Sequence, residues 1–357
     1  MGSLAVSALL TALVRHRALG VNLVARPIAE RYHRSVIPLG GGIAIFATLL
    51  LFILGGAATI KLLLIPGRFA WISERANIAP SDFEGKLSQL AVLLGCAGVL
   101  FALGLWDDVK PLGPKFKLVV QFAAAFGAAF FGEIRVELFI ENTFITSGLS
   151  AVWIVLIINA FNFLDNMDGL SAGIAAIASC ILLTAAAISG QVFVGGLAIV
   201  VIGALCGFLV FNFPPAKIFM GDAGSMVVGF FVAMLTLRTT YYHEAQSGQW
   251  YAVFMPLIVM AVPLYDFISV TVLRISQGAS PFVGDTQHFS HRLRRRGLSD
   301  KQTALTLYLA TLCTGLGAIF LYQVNLGGAI LIFVQTVMVL SIIAILEAAS
   351  PNETKAD

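Results

Sequence analysis

Charge is what this sequence has least of. Asp, Glu, Lys and Arg make up 11% of its 357 residues, 59% are hydrophobic, and the mean hydropathy is +0.92. A soluble domain carries about one quarter charged residues, so that class is excluded. Long polar stretches are also missing. No segment between apolar runs exceeds about thirty residues, below the roughly 50 that a separate domain needs. Residues 1–357 are therefore read as one integral-membrane domain whose chemistry is built from short loops and helix ends.

Other absences narrow the function. Only four cysteines occur, Cys96, Cys180, Cys206 and Cys313. They stand alone in apolar runs without metal-ligand spacing or a disulfide framework, which leaves packing as their role. No GxxxxGK[ST] sequence is present to cradle a nucleotide for an ATP-driven motor, and there is no internal repeat. The first apolar run lacks a small-residue cleavage site, so it is expected to be retained. The net charge of +3 is dispersed over loops; it suits membrane topology and small anionic ligands rather than nucleic acid.

What the chain does have is apolar runs of near-spanning length. A bilayer core takes roughly 20 apolar residues per helix, and eleven spans are expected: 1–14, 39–60, 87–105, 118–132, 148–163, 169–188, 191–211, 223–237, 250–271, 303–322 and 326–346. Within lipid every backbone polar group must be satisfied internally, which leaves helices or a closed barrel; runs without period-2 alternation exclude the barrel. The fold class is thus all-α, a polytopic transmembrane helical bundle. The first span is short and is followed by Arg15, His16 and Arg17, so a tilted or partly interfacial placement is also open. With the loop after it on the cytoplasmic side, sixteen of the 22 Lys and Arg residues collect on that face, which predicts the N-terminus outside and the C-terminus inside. The cytoplasmic loops are then about 15–38, 106–117, 162–169, 212–222 and 272–302.

The acids are unevenly placed. Nine of ten aspartates fall on the expected cytoplasmic face, whereas six of nine glutamates fall on the other. Short carboxylates near helix ends suit a rigid metal or phosphate site. In "WDDVKPLGPKFK", Asp107 and Asp108 point about 100° apart if helical, so they are expected to serve two partners; the alternative is an ordinary polar helix end. In "NAFNFLDNMDGL", Asn159, Asn162, Asp165 and Asp168 recur every third residue. Asn159 and Asn162 lie inside the span, where an unpaired amide costs several kcal/mol. They line a cavity at the membrane surface, or else the stretch is a polar turn.

"PAKIFMGDAGS" sets Lys217, Phe219, Asp222 and Ser225 at the entry to a span, as a helix cap or as a phosphate site with Asp222 on a divalent ion. The last long loop holds His288 and His291 three apart, with Arg292 and the run Arg294 to Arg296, which is read mainly as an inside anchor. Ser299 to Gln302 fits a capping box. Asp266 and Arg274 are read as a structural ion pair. Together the face offers oxygen ligands for Mg²⁺, basic groups for phosphate and an aromatic for a base, the needs of a nucleotide diphosphate meeting a membrane lipid.

The ordered set "ERYHRSVIPLGGG", "WDD", "KLVVQ", "NAFNFLDNMDGL", "FMGDAGS" and "SPFVGDTQHFSHRL" resembles the polyprenyl-phosphate N-acetylhexosamine-1-phosphate transferase superfamily. Its final loop is most similar to the branch that moves GlcNAc-1-phosphate from UDP-GlcNAc to undecaprenyl phosphate. The resemblance implies an enzyme of the bacterial inner membrane, active on its cytoplasmic face. Its partners are UDP-N-acetylhexosamine, undecaprenyl or another polyprenyl phosphate, membrane lipid and, as a homodimer, a second copy. The cofactor implied is Mg²⁺, with Mn²⁺ as a substitute. Products would be polyprenyl-diphosphate-sugar and UMP, an initiating step of cell-envelope glycan synthesis.

By the same resemblance Asn162 and Asp222 hold the metal, and Lys117 and His291 bind phosphate. Asp165, Asp168 and Phe219 line the uridine pocket, with Asn159 on the substrate side. Asp107 and Asp108 face the lipid phosphate, one of them as a possible base, and His288 and Arg292 complete a lid. Three positions depart from the pattern. Asn166 stands where glycine is frequent, Ser290 where the related branch usually shows another histidine, and "ARPIAERYH" lacks an aspartate common before its proline. Ser290 falls in the loop in which the branches differ. The phospho-MurNAc-pentapeptide transferase of peptidoglycan synthesis is the alternative within the enzyme class. A transporter is the alternative outside it, although carrier sites lie near the midplane rather than at one face.

Overall fold

The computed structural model describes residues 1–20, 23–25, 36–64, 86–136, 140–239, 250–280 and 287–348. The "ARPIAERYH" segment beyond Ala25 and the Asp285 part of the last loop lie outside them.

The chain is an all-α polytopic membrane protein. Helix α1 (Gly2–Gly20) is followed by two paired residues, β1 (Val24–Ala25) and β2 (Ile37–Pro38), in antiparallel register. Then come α2 (Gly41–Thr59, prolonged by a wider turn to Leu64), α3 (Leu87–Val109), α4 (Pro114–Phe130), α5 (Thr143–Leu164), α6 (Leu170–Ile188), α7 (Val192–Asn212) and α8 (Gly221–Arg238). A 3₁₀ turn (Trp250–Phe254) leads into the short α9 (Met255–Val259), then α10 (Ala261–Ser276), α11 (Phe289–Arg295), α12 (Asp300–Ile319) and α13 (Leu326–Ala348). Ser299 and Gln302 form the expected capping box at the start of α12.

Each of the eleven expected spans corresponds to helix, but they are not equivalent. Among the described residues eight helices are long and apolar enough to cross a membrane, or nine if the bent pair 250–259 and 261–276 is one span. That pair is bent by 66°. Pro256 and Pro263 flank the break, and a proline ring removes a helix donor and crowds the preceding turn. Helix α4 has 17 residues, short for a crossing, and α1 is diluted by Arg15, His16 and Arg17. Helix α1 instead packs through a polar stripe of small residues, Ser3, Ser7 and Thr11, against α7, where Gly203 and Gly207 let it approach. The Ser7 hydroxyl donates to the carbonyl of Ala204 at 2.6 Å. Without a hydrophobic drive between helices in lipid, such small-residue seams and hydroxyl bonds provide the close contact.

Helix α8 is the axis of the bundle. Nearly all of it is buried, and it packs on α2, α3, α5, α6 and α7. Its first turn is reached by backbone at van der Waals limits: a Cβ on Gly104 of α3 would lie 2.5 Å from the Ala223 backbone, and one on Gly42 of α2 2.3 Å from Gly224. Side-chain bonds join loop to loop at this same end of the bundle. At the opposite end Gln89 donates to Glu133 and Gln191 to the Arg238 carbonyl.

Candidate active site

Four helices converge on Asp222. Lys117, near the start of α4, places its Nζ 2.9 Å from Asp107 Oδ2 at the end of α3 and 3.0 Å from Asp222 Oδ2 in the first turn of α8. Asn162 of α5 donates from Nδ2 to Asp222 Oδ1 and to Ser225 Oγ, both at 3.0 Å. Asp107 also accepts from the Leu112 N–H at 2.7 Å, which folds the short α3–α4 connection under the lysine. The lysine and Asp222 keep about a quarter of their side-chain surface exposed, so the cluster is open to a ligand.

The two adjacent aspartates have different partners. Asp108 accepts from the backbone N–H groups of Asp222 (2.8 Å) and Ala223 (3.1 Å). These are orphan donors at a helix N-terminus, where an anionic acceptor is favoured. Both Asp108 oxygens are thus occupied in building the first turn of α8. Gly221 makes this possible: its φ is +75°, and a Cβ there would sit 2.6 Å from Asp108 Oδ2.

The "NMDGL" turn is braced from the next loop. Asp168 Oδ2 accepts from the Ala216 N–H at 2.8 Å. Asn212, at the end of α7, accepts from the Gly169 N–H (3.0 Å) and donates to the Ile218 carbonyl (2.8 Å). Asn212 is buried and was not among the residues singled out from sequence, although an asparagine ending an otherwise apolar span is the same signal that marked Asn162. Phe219 is fixed through its backbone, donating to Pro38 and accepting from Gly41, each at 2.9 Å. Asp165 ends α5 beside this turn. Asn159 lies one turn deeper, where it donates to Gln121 Oε1 and to the Val155 carbonyl at 2.8 Å; it ties α5 to α4 rather than joining the Asp222 cluster.

Helix α11 lies against this turn. Ser290 donates to Asn166 Oδ1 at 2.6 Å, so two of the positions that depart from the family pattern meet in space. His288 packs edge-on against Phe163, the neighbour of Asn162, with ring centroids 5.3 Å apart, and 6.2 Å from His291. His291 is buried, and that burial, with His288 beside it as a lesser cause, pushes its imidazole down to about 4. It is therefore neutral near pH 7. Arg292 is directed to Glu347 at the end of α13 (3.1 Å) and to Ser269 Oγ (2.8 Å), which anchors α11.

Asp107, Asp222 and Asn162 supply hard oxygen donors suited to a divalent cation such as Mg²⁺. No group of three His, Cys, Asp or Glu side chains with metal-site placement occurs among the described residues. The protein alone thus offers one or two carboxylates, the set with which Mg²⁺ binds when substrate phosphates complete its shell.

Known proteins resemble this chain in the same regions. Residues 90–240, which span α3 to α8, match the model of glycosyl transferase family 4. A protein of Bacillus subtilis named a probable undecaprenyl-phosphate N-acetylglucosaminyl 1-phosphate transferase is 28% identical over 344 residues, covering 94% of this chain and 87% of its own. The undecaprenyl-phosphate alpha-N-acetylglucosaminyl 1-phosphate transferase of Salmonella typhi is 30% identical over 316 residues, covering 84% and 76%. That of Escherichia coli (strain K12) is 28% identical over 308 residues, covering 81% and 74%. The chain belongs to glycosyl transferase family 4, with its undecaprenyl-phosphate N-acetylglucosaminyl 1-phosphate transferase branch.

Proposed function

We propose that this protein transfers GlcNAc-1-phosphate from UDP-GlcNAc to undecaprenyl phosphate in the bacterial inner membrane, on the cytoplasmic face, with release of UMP. The observation that carries this reading is the Lys117 ammonium held between Asp107 and Asp222 beside Asn162, at the end of the bundle where the polar loops gather. Such a cluster combines a fixed cation for phosphate with oxygen donors for a metal. The eleven-span topology with the N-terminus outside puts this end on the cytoplasmic side and is part of the same proposal.

The acceptor phosphate attacks the β-phosphorus of the donor; a P–O bond forms to the lipid phosphate, and the bond to the UMP oxygen breaks. A phosphate monoester is already largely ionised at neutral pH, so a single displacement needs no strong base. Asp107 holds Lys117 where pyrophosphate charge develops, and positioning with electrostatic stabilisation carries most of such a transfer. His291 and Lys117 bind phosphate oxygens, while Asp165, Asp168 and Phe219 border the nucleoside. Asp108 keeps the first turn of α8 in place. Asp222 and Asn162, with Asp107 beside them, would hold Mg²⁺ or Mn²⁺, which when bound neutralises charge on the pyrophosphate.

The test is metal-dependent turnover in the wild type and in Asn162→Ala. Chelation should abolish UMP release and added Mg²⁺ restore it, while N162A inserts in the membrane normally and turns over at least 100-fold more slowly. Full activity of N162A, or turnover unaffected by chelator, contradicts the assignment.

A further inference from the structure

Asp266 is fully buried in the first half of α10, at 0% exposure, and none of the roles assigned above uses it. Its side chain is committed to α11. Oδ2 lies 2.8 Å from His288 Nδ1, and Oδ1 accepts the Phe289 N–H at 2.9 Å. Among the described residues, the charged and titratable groups around the pair include Tyr265, which senses the Asp266 carboxylate and donates to Glu347 Oε2 at 3.4 Å. Arg274, on the same helix as Asp266, lies over the Phe163 ring against which His288 packs, 5.0 Å from its centroid. His291 and Arg292 share α11 with His288, and Glu347 of α13 pairs with Arg292.

A carboxylate moved out of water costs several kcal/mol unless its bonds are made with good geometry. A tether alone would be met by a neutral acceptor. A carboxylate on one ring nitrogen does more: it selects the tautomer and fixes the ring plane, and the other nitrogen is left for a ligand. Nδ1 and Nε2 lie on opposite sides of the imidazole, so the nitrogen turned away from Asp266 is Nε2.

We propose, resting on the transferase reading above, that Asp266 is a positioning residue for the reaction: it keeps a proton on His288 Nδ1 and leaves Nε2 as an acceptor for a hydroxyl or N–H group of the nucleotide-sugar. The backbone contact makes the carboxylate indispensable. Phe289 N–H requires one acceptor oxygen. In Asp266→Asn that oxygen would be the only one, so the group left facing Nδ1 is an NH₂ donor. The ring must then accept at Nδ1 and carry its proton on Nε2.

The experiment is ¹⁵N spectroscopy of the purified full chain labelled at histidine, of which there are five, with His288 assigned by its loss in H288Q. In the wild type, neutral His288 should carry its proton on Nδ1; in D266N it should carry it on Nε2. UMP release by D266N should fall by roughly 100-fold in kcat, with a change in donor KM of less than about threefold; loss of a tautomer-fixing carboxylate elsewhere costs up to about 10⁴. The wild-type spectrum needs neither a variant that folds nor a donor. A protein that releases UMP but carries the His288 proton on Nε2 overturns the proposal alone. So does a D266N protein whose tautomer or kcat is unchanged. A folded wild type that releases no UMP from any donor overturns the transferase reading, and the proposal with it.

Discussion

Lys117 Nζ bridges Asp107 Oδ2 and Asp222 Oδ2 at 2.9 and 3.0 Å, joining α3, α4 and α8 through one ammonium. The bridge accounts for two carboxylates facing each other across one cation. Without the lysine they would repel each other and any incoming phosphate.

Lys117→Met removes that cation while keeping most of the side-chain volume. Turnover should fall by at least 100-fold, and a bound anionic donor should lose affinity as well. Lys117→Arg restores charge but not the compact point contact and is expected to recover only part of the rate. UMP release at saturating and sub-saturating donor separates the two effects; wild-type kcat in K117M would remove Lys117 from the site.

Asp107 and Asp108 are expected to fail differently. Asp108→Asn keeps only one acceptor oxygen for the two N–H groups of Asp222 and Ala223. Stability should drop by roughly 1–2 kcal/mol, as for a lost helix cap, along with activity. Asp107→Asn loses its charge on Lys117 and should lose activity with little change in the melting temperature. Thermal unfolding of the two purified variants distinguishes them, and equal melting temperatures would contradict the cap assigned to Asp108.

How much of this was legible beforehand varies with the range of the interaction. All eleven apolar runs turned out helical because length and hydrophobicity act locally, and "SDKQ" announced its cap for the same reason. The break at Met260 was not read, since a proline within an apolar run either kinks a span or is tolerated. The Asn162–Asp222 meeting was anticipated only through resemblance, because 60 residues separate the pair. Asn212, Gly104 and the role of Asp108 went unseen: each is defined by a partner in a different segment that no spacing in the sequence reveals. The Asp266–His288 contact also went unread, because 22 residues separate the pair.

His291 gives the pH dependence. Burial, then the neighbouring His288, holds its imidazole down at about 4, against about 6.5 in an unfolded chain. Between those values the unfolded chain binds the extra proton, so stability is full above about pH 6.5 and is lost as the pH falls toward 4. The melting temperature of the wild type should therefore drop more steeply from pH 7 to 4.5 than that of His291→Gln. Parallel curves would show that His291 is not buried in its neutral form.

Ser290 and Asn166 connect α11 to the "NMDGL" turn through a 2.6 Å bond. Ser290→Ala removes about 1 kcal/mol of interaction. Because this bond sets how α11 lies on the turn, donor KM should rise several-fold while kcat changes less. Unchanged KM for every donor would assign the contact to folding alone.

The most direct test of the central claim is UMP release by the purified protein with Mg²⁺ and undecaprenyl phosphate, comparing UDP-GlcNAc, UDP-GalNAc and UDP-MurNAc-pentapeptide. The account predicts release that requires both lipid and metal and is fastest with UDP-GlcNAc. Preference for the pentapeptide donor would contradict the assigned branch, and no release from any donor by folded protein would contradict the transferase itself.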